Sequence, residues 1–408
     1  MRNILQILIE YRRSILIGIV LGVLVALVFA GGFITRDLIG PAFRPVYAQS
    51  EDPNGYPLLD EVQALLDAHY LREQPSARER EYAAIRGMLS TLGDRYTFFI
   101  DPPVAQSESD VLAGTYGGIG VLIQRNEAGV IVLYPFPDGP AAEAGIEDDD
   151  ILLEINGEPV DLSLSQDQID QMLRGEVKEG NGVDLVIQKA DTGETIEVFV
   201  PFAVINVPSV VWRTVSEDER LGYLQILRFT SRTPEEVVQA LGELKAANIQ
   251  ALIVDLRDNS GGLLQESIRV ADEFIDSGVL VIEADSDGET RFEAQPGGAA
   301  SDLPLAILVN QGTASGAELV AGALQDYERG PVIGQRTYGK GTIQQIFSLS
   351  DGSSLHVTSA EWFTPSGRAL SDGGLEPDVP MIPDENGRDV EMGEAIRRLQ
   401  QILDEQEA

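Results

Sequence analysis

The feature that most constrains this chain is the alternation that begins at Leu221. Tyr223 to Leu227 and Ala251 to Leu256 are short apolar runs with strand character, and Pro234 to Ala247 between them has helical spacing. Leu305 to Val309 is a further strand, followed by a helix beginning near Ser315. Strands alternating with helices predict an α/β core, because parallel neighbours need a crossover to bring the chain back. In such sheets ligands bind beyond the carboxyl ends of the strands, so the segments after Leu256 and Val309 are where chemistry is expected.

Upstream the texture is different. Short β-branched runs split by Gly, Asp and Asn occupy Gly120–Ile123, Val130–Leu133, Ile151–Ile155, Val183–Ile187 and Thr195–Val200, which predicts a compact β-rich module. Before it, Leu58, Val62, Leu65 and Leu66 recur at helical spacing, as does the stretch Ala83 to Leu92, and a turn-rich linker (Gly40-Pro41, Asp52-Pro53-Asn54-Gly55) precedes both. At the other end Met392, Ile396, Leu399 and Leu403 share one helical face, predicting a packing helix with an oligomer contact as its other reading.

From Ser14 to Ile34 run 21 residues without a charge, enough to cross the hydrocarbon of a bilayer as a helix. Arg2, Arg12 and Arg13 precede it and Arg36 and Arg44 follow, which favours a cytoplasmic N-terminus and an extracytoplasmic remainder. A cleaved signal peptide is the rival reading; Val46-Tyr47-Ala48 resembles a cleavage site, but it lies far beyond a hydrophobic run that is itself long for a signal. The expected organisation is therefore α/β and β mixed multidomain: stub and transmembrane anchor (1–40), linker and small helical section (41–106), β-rich module (107–207), α/β core (208–385) and C-terminal helix (386–408).

Composition excludes several functions. A net charge of -37 opposes binding to nucleic acid or anionic lipid surfaces, both of which need clustered Lys and Arg. There is no cysteine, and the only histidines are His69 and His356, so thiolate or His-rich metal sites cannot be built and no cofactor is expected. The four lysines are Lys178, Lys189, Lys245 and Lys340; arginine is the default cation, and a lysine at a special position draws attention because an amine can lose its proton where a guanidinium cannot.

Four segments carry candidate chemistry. Tyr116-Gly117-Gly118-Ile119-Gly120-Val121 runs into a strand; its amides can form a nest for a carboxylate while the strand edge receives an extended peptide, although an ordinary tight turn explains the motif equally. Pro140 to Ile146 reads as a short helix closed by Gly145, and Asp149 to Gly157 as a strand entering a turn, and the three in this order resemble a PDZ domain. Val254 to Gly262 is a strand ending in a double glycine, where backbone amides could approach an oxyanion or simply turn the chain. Ser315, within Asn310 to Glu318, stands at a helix start, where a serine serves either as cap or as nucleophile.

The last candidate is Tyr338-Gly339-Lys340-Gly341-Thr342, 25 positions beyond Ser315. A lysine between two glycines can fold into a dry pocket that lowers its pKa and leaves an amine able to take a serine's proton. Gly334 to Lys340 also fits the opening of a phosphate-binding loop, but Gly341 stands where that loop needs Ser or Thr, and the alternating Ile343 to Leu349 followed by Asp351-Gly352 and Leu355 to Ser359 predicts a hairpin where a nucleotide site needs a helix. His69 lies in a helix and His356 in an alternating strand; both read as structural.

From about Leu58 to Met381 these motifs resemble the C-terminal processing peptidases, or tail-specific proteases. The resemblance rests on Asp94-Arg95-Tyr96-Thr97, the PDZ-like module, Asp255 to Gly262, Thr313 to Glu318 with Ala321 to Asp326, Gly339-Lys340-Gly341 with Gln344, and Phe363 to Arg368 ahead of Glu376-Pro377-Asp378. It implies a Ser–Lys peptidase in which Ser315 is the nucleophile, Lys340 the base and Gln344 an aid to positioning the lysine. It further implies an oxyanion held by amides of Gly261 and Gly316, tail capture at Gly118, Ile119 and Gly120, and a coupling role for Arg174 within Leu173-Arg174-Gly175. The partners would be extracytoplasmic proteins bound by their C-termini, with a homo-oligomer possible in principle. Two departures stand out: Ser260 replaces the family's common proline, and Thr313-Ala314-Ser315-Gly316-Ala317-Glu318 leaves Ser315 as the sole serine of its motif. A silent tail-binding scaffold is the reading from another class.

Overall fold

Leu252 and Val254 pack to one side of their strand and Ala251 and Ile253 to the other, and all four are fully buried. Burial on both faces is why Ala251–Asp255 reads as an unbroken apolar run rather than an alternating one. In the computed structural model, which describes residues 56–407 apart from 127, 128, 372, 385 and 386, this strand lies inside a six-stranded sheet. The order is Val210–Val215, Asp218–Ile226, Ala251–Asp255, Leu305–Val309, Val332–Gly334 and Val379–Pro380, parallel apart from the first pair. Thr233–Ala246, Leu264–Asp272 and Gly316–Asp326 cover one face; the C-terminal helix Val390–Glu407 covers the other with Ala395, Leu399 and Leu403. Each fully buried Leu or Ile here contributes about 1.5–3 kcal/mol of transfer free energy.

A second, antiparallel sheet carries the loop chemistry. Its long strand Ser354–Phe363 pairs with Phe98–Ile100, with Thr342–Ser348 in the predicted hairpin, and with Val279–Asp285, which in turn pairs with Glu289–Glu293. The β-rich module is an antiparallel sheet in the order Val121–Arg125, Ile131–Pro135, Asp150–Ile155, Gly182–Gln188, Thr195–Pro201, packed on the helix Gln166–Met172. Ser165 caps that helix reciprocally with Gln168. Thr115–Gly118 and Ala203–Asn206 pair with each other, tying entry to exit. Val121–Arg125 is an edge strand.

The described residues fall into two units that meet between residues 79 and 80 of the chain. In the first, Pro57–His69 is the predicted helix, with Leu58, Leu59, Val62 and Leu65 exposed. The apolar run Ser14–Ile34 lies outside the described residues; among those described, no helix is long and apolar enough to cross a membrane.

Candidate active site

Ser315 follows the buried strand Leu305–Val309 and caps the helix Gly316–Asp326 with φ 54° and ψ -120°, a conformation L-residues avoid. The loop is fixed from several sides. Thr313 Oγ1 donates to the carbonyl of Leu256 (2.8 Å), the Ala314 amide donates to that of Asn259 (2.9 Å), and the Ser315 amide donates to Glu318 Oε2 (2.9 Å). This over-determined backbone leaves the Ser315 side chain at the mouth of a cavity of about 210 Å³, which Lys340 also lines.

Lys340 is delivered by the segment between the core strand Val332–Gly334 and the hairpin. Its glycine neighbours are there because the chain passes close to another loop. A Cβ on Gly339, whose φ is 88°, would sit 2.7 Å from the Gly374 amide, and one on Gly341 would sit 2.3 Å from Ser371 Oγ. Trp362 Nε1 donates to the Lys340 carbonyl (3.0 Å) and the Trp362 amide to that of Gly341 (3.0 Å). The Lys340 ammonium nitrogen lies 5.5 Å from the centre of the Tyr96 ring and has neither hydrogen bond nor ion pair among the described residues. Burial holds its pKa below the ordinary lysine value, and the charge of Glu108 opposes that shift.

One carboxylate ties the two loops together. Glu318, wholly buried, accepts from the Ser315 amide and the Lys340 amide at Oε2 (both 2.9 Å), and from the Gly339 amide (2.7 Å) and the Thr337 hydroxyl at Oε1. Four donors compensate the cost of burying it. Both side chains line the cavity, and no hydrogen bond joins the Ser315 hydroxyl to the Lys340 amine.

The amide of Gly261, expected at the oxyanion, is donated to Asn259 Oδ1 (2.9 Å). The adjacent Gly262 amide and the Gly316 amide have no acceptor among the described residues, and both residues line the cavity. Gln344 lines it too, but its amide donates to Thr342 Oγ1 (2.9 Å) rather than holding Lys340. His356 stacks on Phe98 (4.5 Å between centroids, 15°), and its Nε2 lies 2.9 Å from a Glu108 oxygen without hydrogen-bond alignment. In the β-rich module, the Ile119 amide donates to the Leu173 carbonyl (3.3 Å), Gly118 bridges Arg174, and the Gly120 amide has no acceptor among the described residues. The Arg174 guanidinium lies over the Tyr116 ring (4.1 Å) and pairs with Asp170 (2.6 Å).

Peptidase family S41 matches residues 220–381, and the PDZ domain family matches 131–179. The chain is 34% identical over 337 residues to the chloroplastic C-terminal processing peptidase of Tetradesmus obliquus, covering 79% of this chain and 72% of that one. This chain is a C-terminal processing peptidase of family S41. It hydrolyses peptide bonds as a serine peptidase and carries a PDZ domain. The carboxy-terminal-processing protease of Bartonella bacilliformis is 31% identical over 325 residues (77% of this chain, 73% of that one). A solved S41 protease structure from Bacteroides fragilis, 17% identical, shares the fold with a TM-score of 0.51 over 81% of this chain and 93% of that one.

Sequence reasoning quoted Glu318 inside a motif but gave it no role; the Ser-x-x-Glu capping-box spacing was the available signal. Because this peptidase holds the Ser315 and Lys340 loops on that one carboxylate, Glu318→Gln should lower kcat by about 10²-fold with KM little changed, since hydrogen bonds to a charged group are worth about 1.5–3 kcal/mol each. Steady-state kinetics beside a calorimetric Tm decide it; an unaltered kcat would show that the loops are positioned by other contacts.

Proposed function

We propose that this peptidase is an N-terminally anchored, extracytoplasmic endopeptidase that takes protein substrates by their C-terminal tails and cleaves them with a Ser315–Lys340 dyad. The observation that carries the dyad is the Lys340 amine: half-buried, unpaired among the described residues, and lining the same cavity as a serine held at an unfavourable φ. Neutral Lys340 takes the proton of the Ser315 hydroxyl as Oγ attacks the scissile carbonyl. The negative oxygen is stabilised by the amides of Gly316 and Gly262, and the lysine returns the proton to the leaving amine. An acyl-enzyme remains, which a water deprotonated by the same amine hydrolyses, freeing a carboxylate and Ser315.

The tail enters at the PDZ loop. Its carboxylate is received by the Gly118–Gly120 segment, and its backbone adds to the open edge of Val121–Arg125. Two groups of that groove are engaged internally, the Ile119 amide by Leu173 and the Ile123 carbonyl by Gln166 Nε2 (2.9 Å). Tail binding must exchange these bonds, and the Leu173–Gly175 segment that gives one up carries Arg174, which supports a coupling role for that residue. Extracytoplasmic placement rests on the uncharged run Ser14–Ile34 and the arginines before it.

A fluorophosphonate probe should label the protein at Ser315 alone, and peptides with a free C-terminus should be cleaved faster than the same peptides amidated. Labelling located elsewhere by peptide mapping would remove Ser315 as nucleophile, and equal rates for the two peptides would remove tail capture.

A further inference from the structure

Two guanidinium groups bury an N–H with no acceptor, Nε of Arg174 and Nε of Arg228, and both residues line one cavity of about 440 Å³. This cavity lies between the PDZ loop and the catalytic cleft. It shares Arg174 and Asp110 with the cavity beside Gly117 and Gly175, and Arg228 and Ser260 with the cavity that holds Ser315 and Lys340. A chain passing from tail capture to the nucleophile along these joined spaces meets Arg228 at the last step.

Arg228 is the less committed of the two. Arg174 already pairs with Asp170 and lies over Tyr116. The Arg228 side chain makes one hydrogen bond, Nη2 to Ser260 Oγ (3.2 Å), and no ion pair among the described residues, although the chain carries a net charge of -37. The acids of the same cavity, Asp110 and Asp258, are occupied by neutral amides, Gln106 Nε2 (2.7 Å) and Asn310 Nδ2 (2.9 Å). A buried guanidinium N–H without an acceptor is costly, and a planar carboxylate is the group whose geometry satisfies it bidentately.

We propose that Arg228 and the cavity around it form a subsite for a carboxylate of the substrate, engaged between the PDZ loop and the scissile bond. The inference rests on the tail-directed reading given above. Two sources supply that chemistry: an Asp or Glu side chain just downstream of the cut, or the terminal carboxylate of a tail too short to reach the PDZ loop. The subsite makes Arg228 a specificity-determining residue, selecting acidic residues near the cleavage point in a peptidase whose surface otherwise repels them.

The test uses the full chain and a fluorescent peptide library with one Glu scanned through the residues downstream of the cut, each matched to its Gln analogue and each made with a free or an amidated C-terminus. At one position Glu should raise kcat/KM about tenfold or more over Gln, with the gain mainly in KM. Arg228→Gln should erase that preference, and Arg228→Lys should restore part of it. Dependence on amidation of the shortest peptides alone would assign the terminal carboxylate as the source and equally support the subsite. If wild type cleaves the library with no Glu/Gln or amidation preference that Arg228→Gln abolishes, the carboxylate subsite is overturned, including the case in which Arg228→Gln weakens all peptides alike. Absence of cleavage of every peptide by wild type would instead count against the tail-directed reading itself. The peptide comparison on wild type stands even if an Arg228 variant folds poorly.

Discussion

Ser315→Ala is expected to lower kcat by roughly 10⁴–10⁶-fold, the range seen when a serine nucleophile is deleted from a cooperating set. The loss should be confined to turnover. Alanine fits the space of serine, the Ser315 amide keeps its bond to Glu318 at the helix start, and the four hydrogen bonds of Glu318 all survive. Tail peptides should therefore bind the variant with a Kd within about twofold of wild type, a change of less than half a kcal/mol. Stopped-assay kinetics and fluorescence anisotropy on one preparation separate the two. Residual cleavage at a tenth of the wild-type rate would mean that another group attacks the peptide.

Lys340→Arg should be nearly as inactive, by about 10³–10⁵-fold, because a guanidinium stays protonated and general-base catalysis with nucleophile activation is lost together. The pH profile carries the sign. In the proposed dyad Lys340 must be neutral to act, and burial lowers its folded pKa below the ordinary lysine value. Hence kcat/KM rises with pH through that lowered pKa and falls as the amine becomes protonated below it. Glu108 favours the ammonium, so Glu108→Gln should move the limb to lower pH and raise activity on its acidic side. The stability corollary has the same direction: the unfolded chain binds this proton more tightly than the folded one, so stability rises with pH between the folded and unfolded pKa values. A Lys340→Met protein should lack that component in calorimetric melts across pH. An acidic limb unmoved by Glu108→Gln would assign the titrating group elsewhere.

Much of the architecture was legible in the sequence because it is local. Leu305–Val309 has the bounds its apolar run predicts, Thr195–Pro201 extends its predicted run by one residue, Gly182–Gln188 extends its own by one at each end, and the hairpin after Gly341 forms where alternation places it. What the sequence hid is set by distant partners. Phe98–Ile100 is too short to signal a strand and exists by pairing with Ser354–His356. Pro102–Ala113 carries polar residues without a clear apolar stripe, so the boundary expected at residue 107 falls within a helix, and that helix brings Glu108 into the cleft. His356 was read as structural from its strand; its stacking on Phe98 agrees, while its place beside Glu108 in the cleft was not visible locally. The glycine motif names the loop, but which of its amides stays open, that of Gly261 or that of Gly262, depends on which one the Asn259 side chain takes.

Since a single acid fastens both the segment bearing the alcohol and the segment bearing the amine, closing the proposed Ser315–Lys340 contact would take torsions in one long side chain while the two backbone segments stay joined. Such rotations take picoseconds to nanoseconds, far faster than hinge closure. The pace of switching on would then be set by arrival and threading of the client polypeptide, and a pre-threaded client should be cut without a lag.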